Sequence, residues 1–170
     1  MRLWLIGLGL AIMSSALGLP NAAFAQGLRF ATDSRAPLEV EAGLMVWQRI
    51  VAKARLTDNA KITQGPLMLS ADKLEINFTA DGTAQDIFAE GHVVLVSAGD
   101  GESAPRRAQS AQAHVDLTRQ TIALIGNVSM VEGDKNKTQL NGARLALDMV
   151  SGRARLSGAG DKPRARIELR

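Results

Sequence analysis

The feature that most constrains this chain is a side-chain period of two, repeated in blocks. Leu74-Glu75-Ile76-Asn77-Phe78 alternates apolar and polar residues, and so do the larger residues of Leu145-Ala146-Leu147-Asp148-Met149. Arg164-Ala165-Arg166-Ile167-Glu168-Leu169 alternates with charge on one face, and Val93 and Leu95 lie in the run 92–96. Successive side chains of a strand point to opposite faces, so each run has one face to bury and one to hydrate. Asp81-Gly82, Gly99-Asp100-Gly101, Gly133-Asp134, Ser151-Gly152 and residues 158–161 punctuate the runs as turn signals. Only the tract 43–55 also carries a helical spacing, at Leu44, Trp47 and Val51, and there the repeat favours strand.

Two elements recur. DNAKIT (58–63), EGHVVL (90–95) and IGNVSM (125–130) each read as a turn followed by a strand. EAGLMVW, ADKLEIN, AQAHVDL and GARLALD, starting at residues 41, 71, 111 and 142, alternate with them. The longer middle interval is explained by residues 97–107 (SAGDGESAPRR), a polar insertion expected to form an exposed loop. A unit of about 30 residues cannot bury its own apolar face, whereas stacked units bury a continuous one. The expectation is an all-β domain, elongated, with a lengthwise apolar interior and terminal strands that invite pairing with another chain.

The N-terminus indicates export. Arg2 is followed by an uncharged apolar stretch from Leu3 to Leu19, then by Pro20 and the small-x-small pattern Ala23-Phe24-Ala25. This predicts a signal peptide over 1–25, cleaved before Gln26, a flexible segment over 26–36 and a single domain over 37–170. The rival reading is an uncleaved anchor, and the apolar run is about the ~17-residue minimum for a membrane span. Losing Arg2 takes the formal charge from +3 to +2, and with no cysteine the chain can form neither a disulfide nor a lipid-anchored cysteine. Stability must come from packing and strand pairing.

Little points to catalysis. His92 and His114, the only histidines, lie in strand patterns without metal-ligand spacing and read as ordinary sheet residues. No nucleophile elbow, phosphate loop or dinucleotide fingerprint is present in the mature chain. Asp72, Glu75, Asp86 and Glu90 read as solvated strand positions, although they leave open a β-helical enzyme acting on a polysaccharide. With tyrosine absent and Phe30, Trp47, Phe78 and Phe88 the only mature aromatics, stacking sites for sugars or single-stranded nucleic acid are disfavoured, and no nucleic-acid partner is expected. Three sequons, at Asn77, Asn127 and Asn136, carry no weight beyond turn or strand asparagines. From Ala143 to Arg170, seven basic residues face Asp148, Asp161 and Glu168. Alternate arginines keep an edge strand from aggregating, and their forks also bind phosphate.

Pro37-Leu38-Glu39-Val40-Glu41-Ala42, Ile62-Thr63-Gln64-Gly65 with Leu69-Ser70-Ala71-Asp72-Lys73-Leu74, Ala89-Glu90-Gly91-His92-Val93, Gly126-Asn127-Val128, and 142–148 with Ser151-Gly152-Arg153-Ala154 resemble the OstA-like periplasmic lipopolysaccharide-transport proteins, the LptA family. The likeness covers roughly residues 35–169; Gly43, His92 and the 97–107 insertion depart from the family pattern. It implies an elongated, twisted antiparallel β-jellyroll of OstA-like repeats, located in the periplasm, with no cofactor, metal or catalytic residue. It also implies lipopolysaccharide (lipid A) as ligand, edge-strand pairing to inner- and outer-membrane export components, and a head-to-tail homo-oligomer. The alternative within the same system is a membrane-anchored component.

The alternation then nominates an apolar groove. From the first half of the chain come Val40, Leu44, Val46, Ile62, Leu74, Ile76, Phe78, Ile87, Val93 and Leu95. From the second half come Val115, Leu117, Val128, Met130, Leu145 and Leu147. Arg153, Arg155, Arg164 and Arg166 are nominated for phosphate or edge contacts.

Overall fold

The protein is described here by a computed structural model covering residues 35–99, 104–133, 138–158 and the backbone of 164–167. The expected signal peptide and nearly all of the tract 26–36 lie outside these residues. Ten strands are described: β1 (Leu38–Glu41), β2 (Leu44–Gln48), β3 (Lys53–Gln64), β4 (Leu67–Phe78), β5 (Ala84–Ser97), β6 (Arg106–Asp116), β7 (Thr121–Glu132), β8 (Thr138–Asp148), β9 (Ala154–Ser157) and β10 (Arg164–Ile167). Helical spacing at 43–55 yields only a single 3-10 turn, Arg49–Val51. Three residues cannot form an amphipathic helix, and the strands on either side of the turn pair with each other.

All strands join one antiparallel sheet in the order β1–β3–β4–β5–β6–β7–β8–β10. β2 also pairs with β3, beside β1, and β9 with β8, beside β10. The three repeats expected to begin with turns instead sit inside continuous strands. Asp58-Asn59, Gly91-His92 and Gly126-Asn127 are consecutive residues with positive φ, and register shifts occur at all three. Such residues resemble hairpin turns in sequence, but here they form bulges, which bend a strand and sharpen its twist without ending it.

The bulges lie side by side across the sheet. In β3, β5 and β7 they set buried residues four apart: Leu56 and Ala60, Ala89 and Val93, Leu124 and Val128. In the partner strands the inward step across the same line is three: Ala71 to Leu74 in β4 and Ser110 to Ala113 in β6. The edge breaks at the same line, where Ala42-Gly43 separates β1 from β2 and Gly43 N–H donates to Asp58 O at 2.7 Å. Aligned bends fold the sheet into two layers across a common corner. We call layer A the half holding β2, β9 and residues 53–57, 73–78, 84–90, 112–116, 121–125 and 144–148. Layer B holds β1, β10 and the complementary halves. Both layers contribute to one hydrophobic cluster, and among the described strands the fold is a β-jellyroll open at both edges.

At Gly91 the corner disfavours a side chain. Its φ is +77°, and a Cβ there would overlap the Asp72 carboxylate across the strand pair. The next residue, His92, takes φ 44° and places Nδ1 2.8 Å from Asp72 Oδ2 on the outside of the bend.

Candidate functional site

Directly opposed residues of an antiparallel pair share a face, so the register resolves the enclosed face into transverse rows. In layer A one row runs Met45, Leu56, Leu74, Ala89, Ala113, Leu124, Leu145, Leu156. The next runs Trp47, Ala54, Ile76, Ile87, Val115, Ile122, Leu147, Ala154. Layer B answers with Val40, Ile62, Leu69, Leu95, Ala108, Met130 and Leu140. The interior is thus lined by aliphatic side chains over the whole length of the sheet.

Of the nominated groove residues, Ile62, Leu74, Ile76, Ile87, Val93, Leu95, Val115, Val128, Met130, Leu145 and Leu147 lie on the enclosed face at 0–4% exposure. Val40, Phe78 and Leu117 are partly buried and pack against the same cluster. Leu44 and Val46 do not belong there. They oppose Thr57 and Arg55, on the outer face; register alone separates the faces of this edge strand, since all four residues Leu44, Met45, Val46 and Trp47 are exposed. The inward residues of β2 are Met45 and Trp47, which oppose Leu56 and Ala54. The cause is a one-residue slip: EAGLMVW aligns with ADKLEIN from Ala42, not Glu41, because Ala42 and Ala71 both precede the three-residue step at the corner. Leu56, Leu69, Ile122 and Leu124 are enclosed residues that the nominated set omits. The last two were legible in the alternation of Thr121-Ile122-Ala123-Leu124.

The strand ends away from the corner form two rims. At rim A, Trp47 meets Phe78 with ring centroids 4.6 Å apart, and farther along the same rim Leu117 and Met149 pack against the cluster. At rim B the row reads Leu38, Gln64, Leu67, Ser97, Arg106, Glu132, Thr138. Arg106 Nη2 donates to Glu132 Oε1 at 2.5 Å, and the Arg106 side chain is 5% exposed.

The outer face carries the charge. Glu75 binds Lys53 at 2.6 Å and Arg55 at 3.0 Å, and the hydrogen bond from Lys53 holds its carboxyl below the ordinary value of 4.5. His114 lies 2.8 Å from Asp86 and stacks on Phe88 at 4.3 Å. The carboxylates considered for catalysis therefore sit on the outer face, three of them tied to neighbouring side chains. Among the described residues no three His, Asp or Glu side chains are grouped to hold a metal. Near the C-terminal edge, Arg119, Arg144, Arg153 and Arg155 line a shallow outer hollow with Asp116 and Asp148. Asp148, accepting the backbone N–H of Ser151, is held below its ordinary value. Arg164 and Arg166 are in β10, opposite Asn141 and Gln139; their side chains lie outside the described residues.

A folded sheet with an aliphatic interior and strand edges at both ends places the chain among the open β-jellyrolls. Residues 39–153 match the family described as LptA/(LptD N-terminal domain) LPS transport protein, and the chain belongs to that family, whose members are transport proteins and not enzymes. It is 26% identical, over 95% of its length and 87% of the relative's, to an uncharacterized protein of Rhizobium meliloti (strain 1021). Its fold is similar to that of LptH, described as the LptA homologous periplasmic component of the conserved lipopolysaccharide transport device from Pseudomonas aeruginosa. The TM-score is 0.70 at 13% identity, over 82% of this chain and 99% of that one.

Proposed function

We propose that this chain is a periplasmic lipopolysaccharide carrier, released from its signal peptide before Gln26. It takes the acyl chains of lipid A between its two layers and joins export components of the inner and outer membranes. The observation that carries this reading is the continuous aliphatic face running from β2 to β9. Moving a dozen methylenes out of water stabilises a complex by on the order of 10 kcal/mol, and only an uninterrupted apolar lining delivers that along a path. The interior side chains are packed against one another, so a lipid enters by parting the layers at their rims.

The edges supply assembly. β2 pairs on one side only among the described strands and exposes Leu44, Met45, Val46 and Trp47, while Glu39 and Glu41 mark β1 beside it. The opposite edge carries Arg153 and Arg155 at β9 and Arg164 and Arg166 in β10. Main-chain pairing of unlike edges gives a head-to-tail chain of copies. Site-specific photocrosslinkers at Ile76, Leu95 and Met130 should capture lipopolysaccharide, and the same group at Arg55 or Arg107 on the outer face should not. Equal capture at both sets, or a strictly monomeric protein that captures none, refutes the carrier reading.

A further inference from the structure

Rim B presents an anomaly that the carrier reading does not itself require. Arg106 is 6% exposed and points to the enclosed face, two residues from Ala108, which is wholly buried between Leu95 and Met130. Its partner Glu132 is the last residue of β7, with a side chain 22% exposed. A buried ion pair adds little to stability, because apolar residues of similar volume often serve a core as well or better. Rim A has the same strand arrangement and closes with Trp47, Phe78, Leu117 and Met149 instead.

We infer that Arg106 is a headgroup anchor: its guanidinium binds a phosphate of the amphiphile whose chains occupy the interior, and Glu132 stands in for that phosphate when no ligand is present. The inference rests on the carrier reading. The chemistry is an exchange of like for like. A guanidinium fork matches paired oxygens on carboxylate and phosphate alike, so the incoming phosphate replaces one charge-assisted contact with another. Glu132, at the strand end, turns to water when displaced, while Arg106 stays where it is. The lipid is thereby oriented, with its phosphate at rim B and its chains running toward rim A. An amphiphile without an anionic headgroup makes no such exchange and binds through its chains alone.

The test compares lipid A bisphosphate with the same lipid after phosphatase treatment, on the full exported chain. Wild-type protein should bind the phosphorylated form roughly tenfold more tightly, because the phosphate brings up to about two negative charges and three acceptor oxygens where Glu132 brings one charge and two oxygens. Arg106→Leu combined with Glu132→Leu, which removes both charges of the pair, should bind both lipids alike at the wild-type affinity for the dephosphorylated one. Glu132→Gln should widen the preference, and Arg106→Lys should retain part of it. A double variant that keeps the wild-type preference overturns the assignment. Wild-type protein that binds neither lipid overturns the carrier reading itself. Inorganic phosphate alone, followed through the Arg106 Nε–H resonance, should leave that resonance in place. A shift matching the one lipid A produces reassigns the site to a free ion and overturns the headgroup role.

Discussion

The two rims of this sheet share a topology and differ in chemistry. Rim A closes on an aromatic pair and aliphatic neighbours, whereas rim B buries a guanidinium against a carboxylate in the same strand arrangement. Backbone pairing is indifferent to that choice, since either set of side chains leaves the ladders intact. The contrast shows that strand pairing sets the enclosure, while side chains alone make its two rims chemically unlike.

The contrast can be broken most strongly at rim B. Glu132→Leu alone removes the carboxylate that Arg106 Nη2 binds and should cost about 3 kcal/mol of unfolding free energy, read by chemical denaturation. Adding Arg106→Leu should recover most of that loss. Ile76→Ala, in the row nearest rim A, should cost about 3 kcal/mol with no rescue from any charged partner, because it opens a cavity in a dry core. Gly91→Ala tests the corner that holds the layers together, and strain at positive φ plus the overlap with Asp72 should cost about 2 kcal/mol. The outer face should matter least. Glu75 has a folded-state pKa below 4.5, so its contribution is full above the unfolded value and fades as pH falls through the folded one. Glu75→Gln should therefore lower stability by under about 1 kcal/mol at neutral pH, with the difference from wild type vanishing as pH falls through the folded-state value, so that the acid limb of the pH–stability curve flattens.

Much of the architecture was legible before the fold was seen. Alternation in Leu74 to Phe78 and Leu145 to Met149 identified which side chains are enclosed, because parity within a strand is a local property. The repeats located the corner but mistook its nature. A pair such as Gly126-Asn127 has the same left-handed preference in a hairpin turn and in a bulge, and only the pairing of the flanking residues separates the two. The edge strand β2 was read one residue out of phase for a related reason. With nothing buried in Leu44–Gln48, its composition is apolar on both faces and carries no parity signal. Arg106 was overlooked because it closes a polar insertion, where an arginine is expected to face water.

What the sequence by itself determined is therefore the strand period, the aliphatic character of one face and the approximate line of the corner, all consequences of which residues neighbour each other along the chain. What the tertiary structure alone decided is phase and partnership: Met45 and Trp47 inward in place of Leu44 and Val46, the folding of one sheet into two facing layers, and Arg106 set beside Glu132 across 26 residues. These depend on hydrogen-bond register between strands. A shift of one residue in register exchanges the two faces of a strand, and β2, apolar on both faces, carries no pattern of its own to record which register it takes.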